Sequence, residues 1–230
     1  MIGAIYGDIV GSVYEFDNAK SADFPLLTKA SDFTDDSVLT VATMDVLLSN
    51  GNYTERYRHW YAEYPDAGYG FRFYQWARKE NLEPYNSWGN GSAMRVSPIG
   101  FWFDSIEETR AEARRSAAVT HNHPEGIKGA ESTAAAIFLA RQHASKDEIK
   151  AYITNEFGYD LTESIESIRT WYKFDESCKG TVPQSIICFL ESTNFEDAIR
   201  KAIYIGGDSD TIACIVGGIA EAYYGITQDI

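Results

Sequence analysis

Apolar residues along this chain recur at helical rather than alternating spacing. Between about 124 and 143, Ala130, Ala134, Ala135, Ile137, Phe138 and Leu139 fall along one broad stripe, the pattern of a helix with a buried face. Comparable stripes predict helices at about 36–49, 53–63, 68–79, 146–156, 162–171, 182–191, 195–203 and 210–224. A charged and alanine-rich run after Ser105 predicts another, reaching to about Val119. Ser105-x-x-Glu108, Ser145-x-x-Glu148 and Asp160-x-x-Glu163 each set a capping side chain three positions before a carboxylate, which satisfies free amides at a helix start. Gly225 suits the end of the last helix. Sustained period-2 alternation is missing, so strands are at most minor. The stretch from Lys79 to Gly91 reads as a long loop, and loops of that length tend to be functional. With no repeat and no linker composition, the expectation is all-α, one compact domain over residues 1–230.

Charge changes the picture in one respect. The 34 acidic and 20 basic residues give a net charge of −14, which argues against general nucleic-acid binding and against attraction to anionic membranes. An anionic ligand then needs cations or helix N-termini in its own pocket. Cys178, Cys188 and Cys214 have no metal-type spacing, and the latter two sit in apolar runs that suit buried free thiols. No apolar stretch reaches bilayer length and Met1 opens directly on Ile-Gly-Ala-Ile, so the cytoplasm is the expected compartment. The oligomeric state is left open.

Two acidic clusters carry the candidate chemistry. Thr34-Asp35-Asp36 precedes the apolar helix from Val38, and Gly206-Gly207-Asp208-Ser209-Asp210-Thr211 precedes the one from Ile212. Each admits a plain reading as a helix cap favoured by the helix dipole. A cap uses one oxygen, however, whereas adjacent carboxylates repel unless a cation lies between them. Magnesium takes about six oxygen ligands, and the two sets together offer four carboxylates and two hydroxyls. Capping and a shared divalent site therefore both stay open. A third acidic element, Asp8 and Glu15, spans seven residues and would share a face if that segment stayed helical.

Ser87-Trp88-Gly89-Asn90-Gly91-Ser92-Ala93-Met94-Arg95 exposes backbone amides around two glycines, a form suited to an anion, but lacks the ending of a Walker A loop. Thr120-His121-Asn122-His123-Pro124-Glu125-Gly126 reads either as a transition-metal pair or as a helix start with Pro124 at its first position.

Taken in order, these motifs resemble those of the ADP-ribosylglycohydrolase family over nearly the whole chain. The resemblance implies an orthogonal all-α bundle with a di-metal cleft holding two magnesium ions, with manganese as a possible substitute. It implies Thr34, Asp35, Asp36, Asp208, Asp210 and Thr211 as the metal ligands. It implies Asn90, Gly91, Ser92, Ala93 and Met94 as a diphosphate cradle, with His123 and Gly126 in a further ADP-ribose-contacting motif. Glu15 and Asp66 are the implied candidates for proton transfer. The implied activity is hydrolysis of the glycosidic bond between ADP-ribose and an acceptor, either a modified protein side chain such as arginine or serine or a small ADP-ribose conjugate or nucleobase. Such cleavage develops oxocarbenium character and needs a protonated leaving group, work suited to a positioned carboxylate. A non-catalytic protein on the same fold is the competing expectation, and the full complement of ligand-type residues weighs against it. Acceptor choice would lie in the rim, around Tyr64–Arg72 and Glu80–Trp88.

Overall fold

The computed structural model describes residues 1–19, 21–80 and 83–226. Its helices are α1 (Ile2–Gly11), α2 (Asp35–Ser49), α3 (Tyr53–Glu63), α4 (Phe71–Ala77), α5 (Gly91–Met94), α6 (Ser97–Trp102), α7 (Ile106–Ala118), α8 (Pro124–Arg141), α9 (Lys146–Phe157), α10 (Ile165–Trp171), α11 (Cys178–Glu191), α12 (Phe195–Ile205) and α13 (Ser209–Tyr224). Among the described residues there is no strand, only an isolated bridge between Gly89 and Ser177. The all-α expectation therefore stands. Asn81 and Leu82, inside the predicted rim, lie outside the described residues.

Local chemistry explains most of the boundaries. Ser105 and Ser145 cap α7 and α9 as expected, and Ser145 forms a full capping box with Glu148. Gly225, at φ +76°, ends α13 in a backbone region that other residues avoid. Asp160 departs from expectation. Its carboxylate accepts from the backbone and hydroxyl of Thr162 instead, a local turn that competes with capping, and α10 begins later behind Ser164. The predicted helix at 68–79 shortens to α4, because Gly68 takes φ +94° and Gly70 is extended. α11 starts at Cys178 rather than at 182, and so carries Pro183 within it. Bonds from Cys178 N to Trp88 O and from the Tyr172 hydroxyl to Gly180 O anchor that earlier start. α5 and α6, four and six residues long, are too short to show an apolar stripe.

α1 is the element that periodicity did not reveal. It packs so closely on α13 that glycines form the seam. A side chain on Gly7 would overlap the carbonyl of Ala213, one on Gly217 the carbonyl of Gly3, and one on Gly11 the backbone of Asp210. The amino group of Met1 pairs with the Glu221 carboxylate, which also accepts from Gly3 N at 2.8 Å. α1 ends at Gly11, so Asp8 and Glu15 do not share a helix face. Glu15 stands in the turns beyond it.

α8 separates two apolar clusters. Its Ala130 and Ala134 pack with Leu39, Tyr57, Trp76 and Ile99 on one side. Its Ala135, Ala136 and Ile137 pack with Ile186, Phe189, Ile199 and Val216 on the other. The small alanine face lets α8 serve both, and the starts of α2 and α13 meet where α1 lies against α13.

The glycine seam yields a stability prediction. Gly7→Ala should destabilise the fold by about 1–3 kcal/mol, the usual cost of overpacking. Gly70→Ala, with nothing within 4 Å of the added carbon, should leave stability unchanged or slightly raised. Urea midpoints measure both, and equal midpoints would mean that the seam yields freely.

Candidate active site

The two helix starts are joined through α1. Asp8, fully buried, accepts from Thr34 N at 2.9 Å, from Thr34 Oγ1 at 2.7 Å, from Ser37 N at 3.0 Å and from the Ser37 hydroxyl. One carboxylate thereby fixes the first turn of α2. Because Thr34 gives its proton to Asp8, while also accepting from Asp36 N, its hydroxyl oxygen has no proton left to direct at the cleft. On the other side Asp208 begins α13 without capping it, and instead accepts from Asn90 Nδ2 at 2.6 Å. Thr211 Oγ1 donates to Asp36 Oδ2 at 3.3 Å and links the clusters directly. Glu15 places a carboxylate oxygen within 4.8 Å of oxygens from Asp208 and Asp210.

These carboxyls are far from their ordinary ionisation. Burial first, and then the field of Asp210 and other neighbours, raises Asp35 and Asp36 well above the usual carboxylate range. Burial and Asp208 do the same to Asp210. Asp208 is pushed to about 6, again mainly by burial. Glu15 is pushed to about 8 by burial, Asp210, Glu176 and Asp8. Among the described residues no lysine or arginine forms an ion pair with Asp35, Asp36, Asp208 or Asp210, and the buried Asp36 Oδ1 has no hydrogen-bond partner. Oxygen-only donors, crowded and short of positive charge, fit a hard divalent cation.

The cleft these residues line has a volume of about 360 Å³, within the usual size for a small-molecule site. Thr34, Asp35, Asp36, Asp208, Asp210, Thr211 and Glu15 all face it. From the glycine turn, Asn90, Gly91 and Met94 face it too. Ser92 and Ala93 are buried behind the turn, with the Ser92 hydroxyl bonded to Gly126 O at 2.7 Å. Gly126 packs under the turn, where a side chain would lie 2.7 Å from Ser87 O. His123 caps α8, its Nδ1 accepting from Glu125 N at 3.1 Å, and its ring lies against Trp88, away from the cleft lining. Asp66 is exposed on the loop after α3, and Gly68 is the nearby residue that reaches the cleft.

Arg72 and Tyr85 reach the cleft from the expected rim segments, whereas His121, Arg95 and Glu176 were not singled out as site residues by the sequence. His121 was visible as half of a His-x-His pair, with nothing to say which half faced inward. Its surroundings define its state. Arg95, buried over the Tyr57 ring at 4.3 Å, donates to Ser116 O at 2.7 Å and Thr120 Oγ1 at 2.9 Å. Thr120 Oγ1 lies 2.7 Å from His121 Nδ1. Nε2 of the same ring lies beside Gly89 and Gly91. Burial, with Arg95 and Arg72, holds the ring neutral.

In this all-helical fold one cleft joins two carboxylate-bearing helix starts to a glycine turn. The profile described as ADP-ribosylglycohydrolase matches residues 1–230, and the chain belongs to that family. It is 29% identical to ADP-ribosylhydrolase ARH3 of Homo sapiens over 308 aligned positions, covering 99% of this chain and 85% of the relative. It is 26% identical to ADP-ribosylarginine hydrolase Tri1 of Pseudomonas putida (strain GB-1), covering 99% and 70%. A solved structure titled ADP-ribosylglycohydrolase-related protein complex has the same fold, with a TM-score of 0.78 at 23% identity over 97% of this chain and 85% of that one.

The raised carboxyls predict a pH dependence. Their folded pKa values exceed the unfolded ones, so the folded chain holds protons that the unfolded chain releases. Stability of the metal-free protein should therefore fall as pH rises from the ordinary carboxylate range toward about 8, where Glu15 ionises. Magnesium should reverse the loss, because it favours the ionised cluster. Melting curves in chelator and in magnesium measure this, and a flat pH response in chelator would contradict it.

Proposed function

We propose that this chain is a magnesium-dependent hydrolase that cuts the glycosidic bond between ADP-ribose and an acceptor, such as an arginine or serine side chain, and releases ADP-ribose. The observation that carries the reading is the meeting of Thr34, Asp35 and Asp36 with Asp208, Asp210, Thr211 and Glu15 on one cleft wall, with the glycine turn on another. Residues 1–230 act as one domain in this reading. The cytoplasm is its compartment, which suits three buried, unpaired cysteines. No helix among the described residues is long and apolar enough to cross a membrane.

Thr34, Asp35, Asp36, Asp208, Asp210 and Thr211 would hold the metal, and Glu15 stands close enough to Asp208 and Asp210 to join them. When bound, a divalent ion supplies charge compensation, orients sugar hydroxyls and lowers the pKa of water. The chain's own residues do the rest. Asn90 ties the glycine turn to Asp208, so the wall suited to phosphate and the acidic wall keep a set distance. His121 sets Nε2 beside that turn, where the tautomer protonated at this nitrogen would donate to an anion. Glu15, half-buried beside Asp208 and Asp210, is placed to give a proton to a leaving group or take one from water. Asp66 is exposed and outside the cleft lining, which favours Glu15 for this role. Tri1 is named as an ADP-ribosylarginine hydrolase and ARH3 as an ADP-ribosylhydrolase, and both names support an ADP-ribosylated substrate.

The test is release of ADP-ribose from arginine-, serine- and nucleobase-linked substrates with magnesium and with chelator. Asp36→Asn and Asp210→Asn should each remove most activity and leave a folded protein. Glu15→Gln should lower kcat by ~10²–10⁴ with little change in affinity, the range for a positioned acid–base group, while Asp66→Asn stays close to wild type. Undiminished release in excess chelator would sink the metal assignment.

A further inference from the structure

Glu15 keeps its place without the support of a helix. α1 stops at Gly11, and residues 12–17 run as turns and bends. A bond from Tyr14 N to Gly11 O at 2.8 Å closes the first of these turns. A stack of Phe16 on Phe174, centroids 6.0 Å apart, ties the outer edge, but Phe16 is 85% exposed and contributes little burial. The stronger tie is Asn18.

The Asn18 carboxamide uses both of its ends. Nδ2 donates to Tyr14 O at 2.6 Å and Gly207 O at 3.0 Å, with Glu15 O at 3.2 Å and Ser209 Oγ at 3.4 Å as weaker partners. Oδ1 accepts from Gly207 N at 2.9 Å. One side chain therefore closes the turn that carries Glu15 and grips both backbone groups of the residue before Asp208. Ser209 reinforces the same junction through Tyr14 O at 3.3 Å.

The diglycine answers to this grip. Gly206 and Gly207 take φ +77° and +82°, a region that favours glycine. A side chain on Gly206 would come 2.9 Å from Asn18 Oδ1, and one on Gly207 would overlap the Tyr172 ring. The close approach that two glycines permit is thus made by Asn18 and Tyr172. An amide meets both demands at position 18, whereas aspartate lacks the donors and an apolar residue lacks both functions.

We propose that Asn18 is a positioning residue, whose carboxamide locks the turn bearing Glu15 to the turn bearing Asp208 and so sets Glu15 against the Asp208–Asp210 pair. Its kinetic consequence rests on the hydrolase reading above, whereas its structural consequence does not.

Two measurements on the full chain separate these. In the metal-free protein, hydrogen exchange should quicken in Asn18→Ala over residues 12–18 and 206–209 together, with α7 and α8 unchanged. Unchanged exchange in either segment overturns the proposal. In the magnesium-loaded enzyme, Asn18→Ala should lower kcat by about 10–100-fold, the scale of a small misplacement, with KM shifted less than about twofold. In a Glu15→Gln background the same change should cost less than about twofold further, because the two residues act on one step. Losses that multiply would mean that Asn18 does not act through Glu15. If the wild type releases ADP-ribose from no conjugate, the hydrolase reading fails, and the exchange data still decide the role of Asn18. Should Asn18→Ala not fold, Asn18→Gln displaces the amide by one methylene and is read by the same two measurements, with the same signs expected.

Discussion

Burial of carboxyl groups against one another at the junction of α2 and α13 is the constraint that the rest of the molecule has to meet. Asp35, Asp36, Asp208, Asp210 and Glu15 would separate if their chains were free to move. They are held together by contacts that carry no charge compensation. Glycines let α1 lie on α13 with backbones touching, and α1 delivers Asp8 to the start of α2, where four donors close on it. Each helix N-terminus favours negative charge by a modest amount, far too little for so many buried acids, and their raised pKa values express the shortfall. Packing energy from both apolar clusters thus keeps in place a group of buried acids whose cost a divalent cation would offset. That is the usual relation between a binding site and the fold around it.

The local half of this design is legible in the sequence. A Thr-Asp-Asp or Asp-Ser-Asp-Thr ahead of an apolar stripe marks a helix start with more oxygens than a cap needs. What sequence spacing cannot supply is the pairing of Asp36 with Thr211 across 175 positions, for which the order of motifs shared with a known family was needed. α1 hid for a physical reason. Gly3, Gly7 and Gly11 lower its helix propensity, yet the same four-residue spacing is the seam against α13. The histidines were ambiguous for another reason. Pro124 at the first position of α8 commits His123 to capping, and only tertiary structure turns His121 toward the glycine turn. Asn18 gave no signal at all, since an asparagine after an acidic turn reads as loop chemistry.

The cleft has two electrical ends, which explains how a chain of net charge −14 can hold an anion. The acidic end gathers carboxylates and calls for a cation. The other end, at the glycine turn, is lined by Arg72, Arg95 and His121. Arg95 is the decisive member. It is fully buried, yet it meets carbonyl, hydroxyl and aromatic partners rather than a carboxylate, and its Nε and Nη1 have no partner. Its charge is therefore not cancelled within the wall, and the field reaches His121, where it opposes protonation. His121, held at Nδ1 by the Thr120 hydroxyl, turns its Nε2 toward the glycine turn. Arg95 thereby acts at this end twice, through its field and by holding Thr120, the partner of His121 Nδ1. Low dielectric strengthens both effects. A ligand with phosphate at one end and a sugar bearing hydroxyls at the other meets each wall with complementary chemistry, and reversing it in the cleft would set phosphate against the carboxylates.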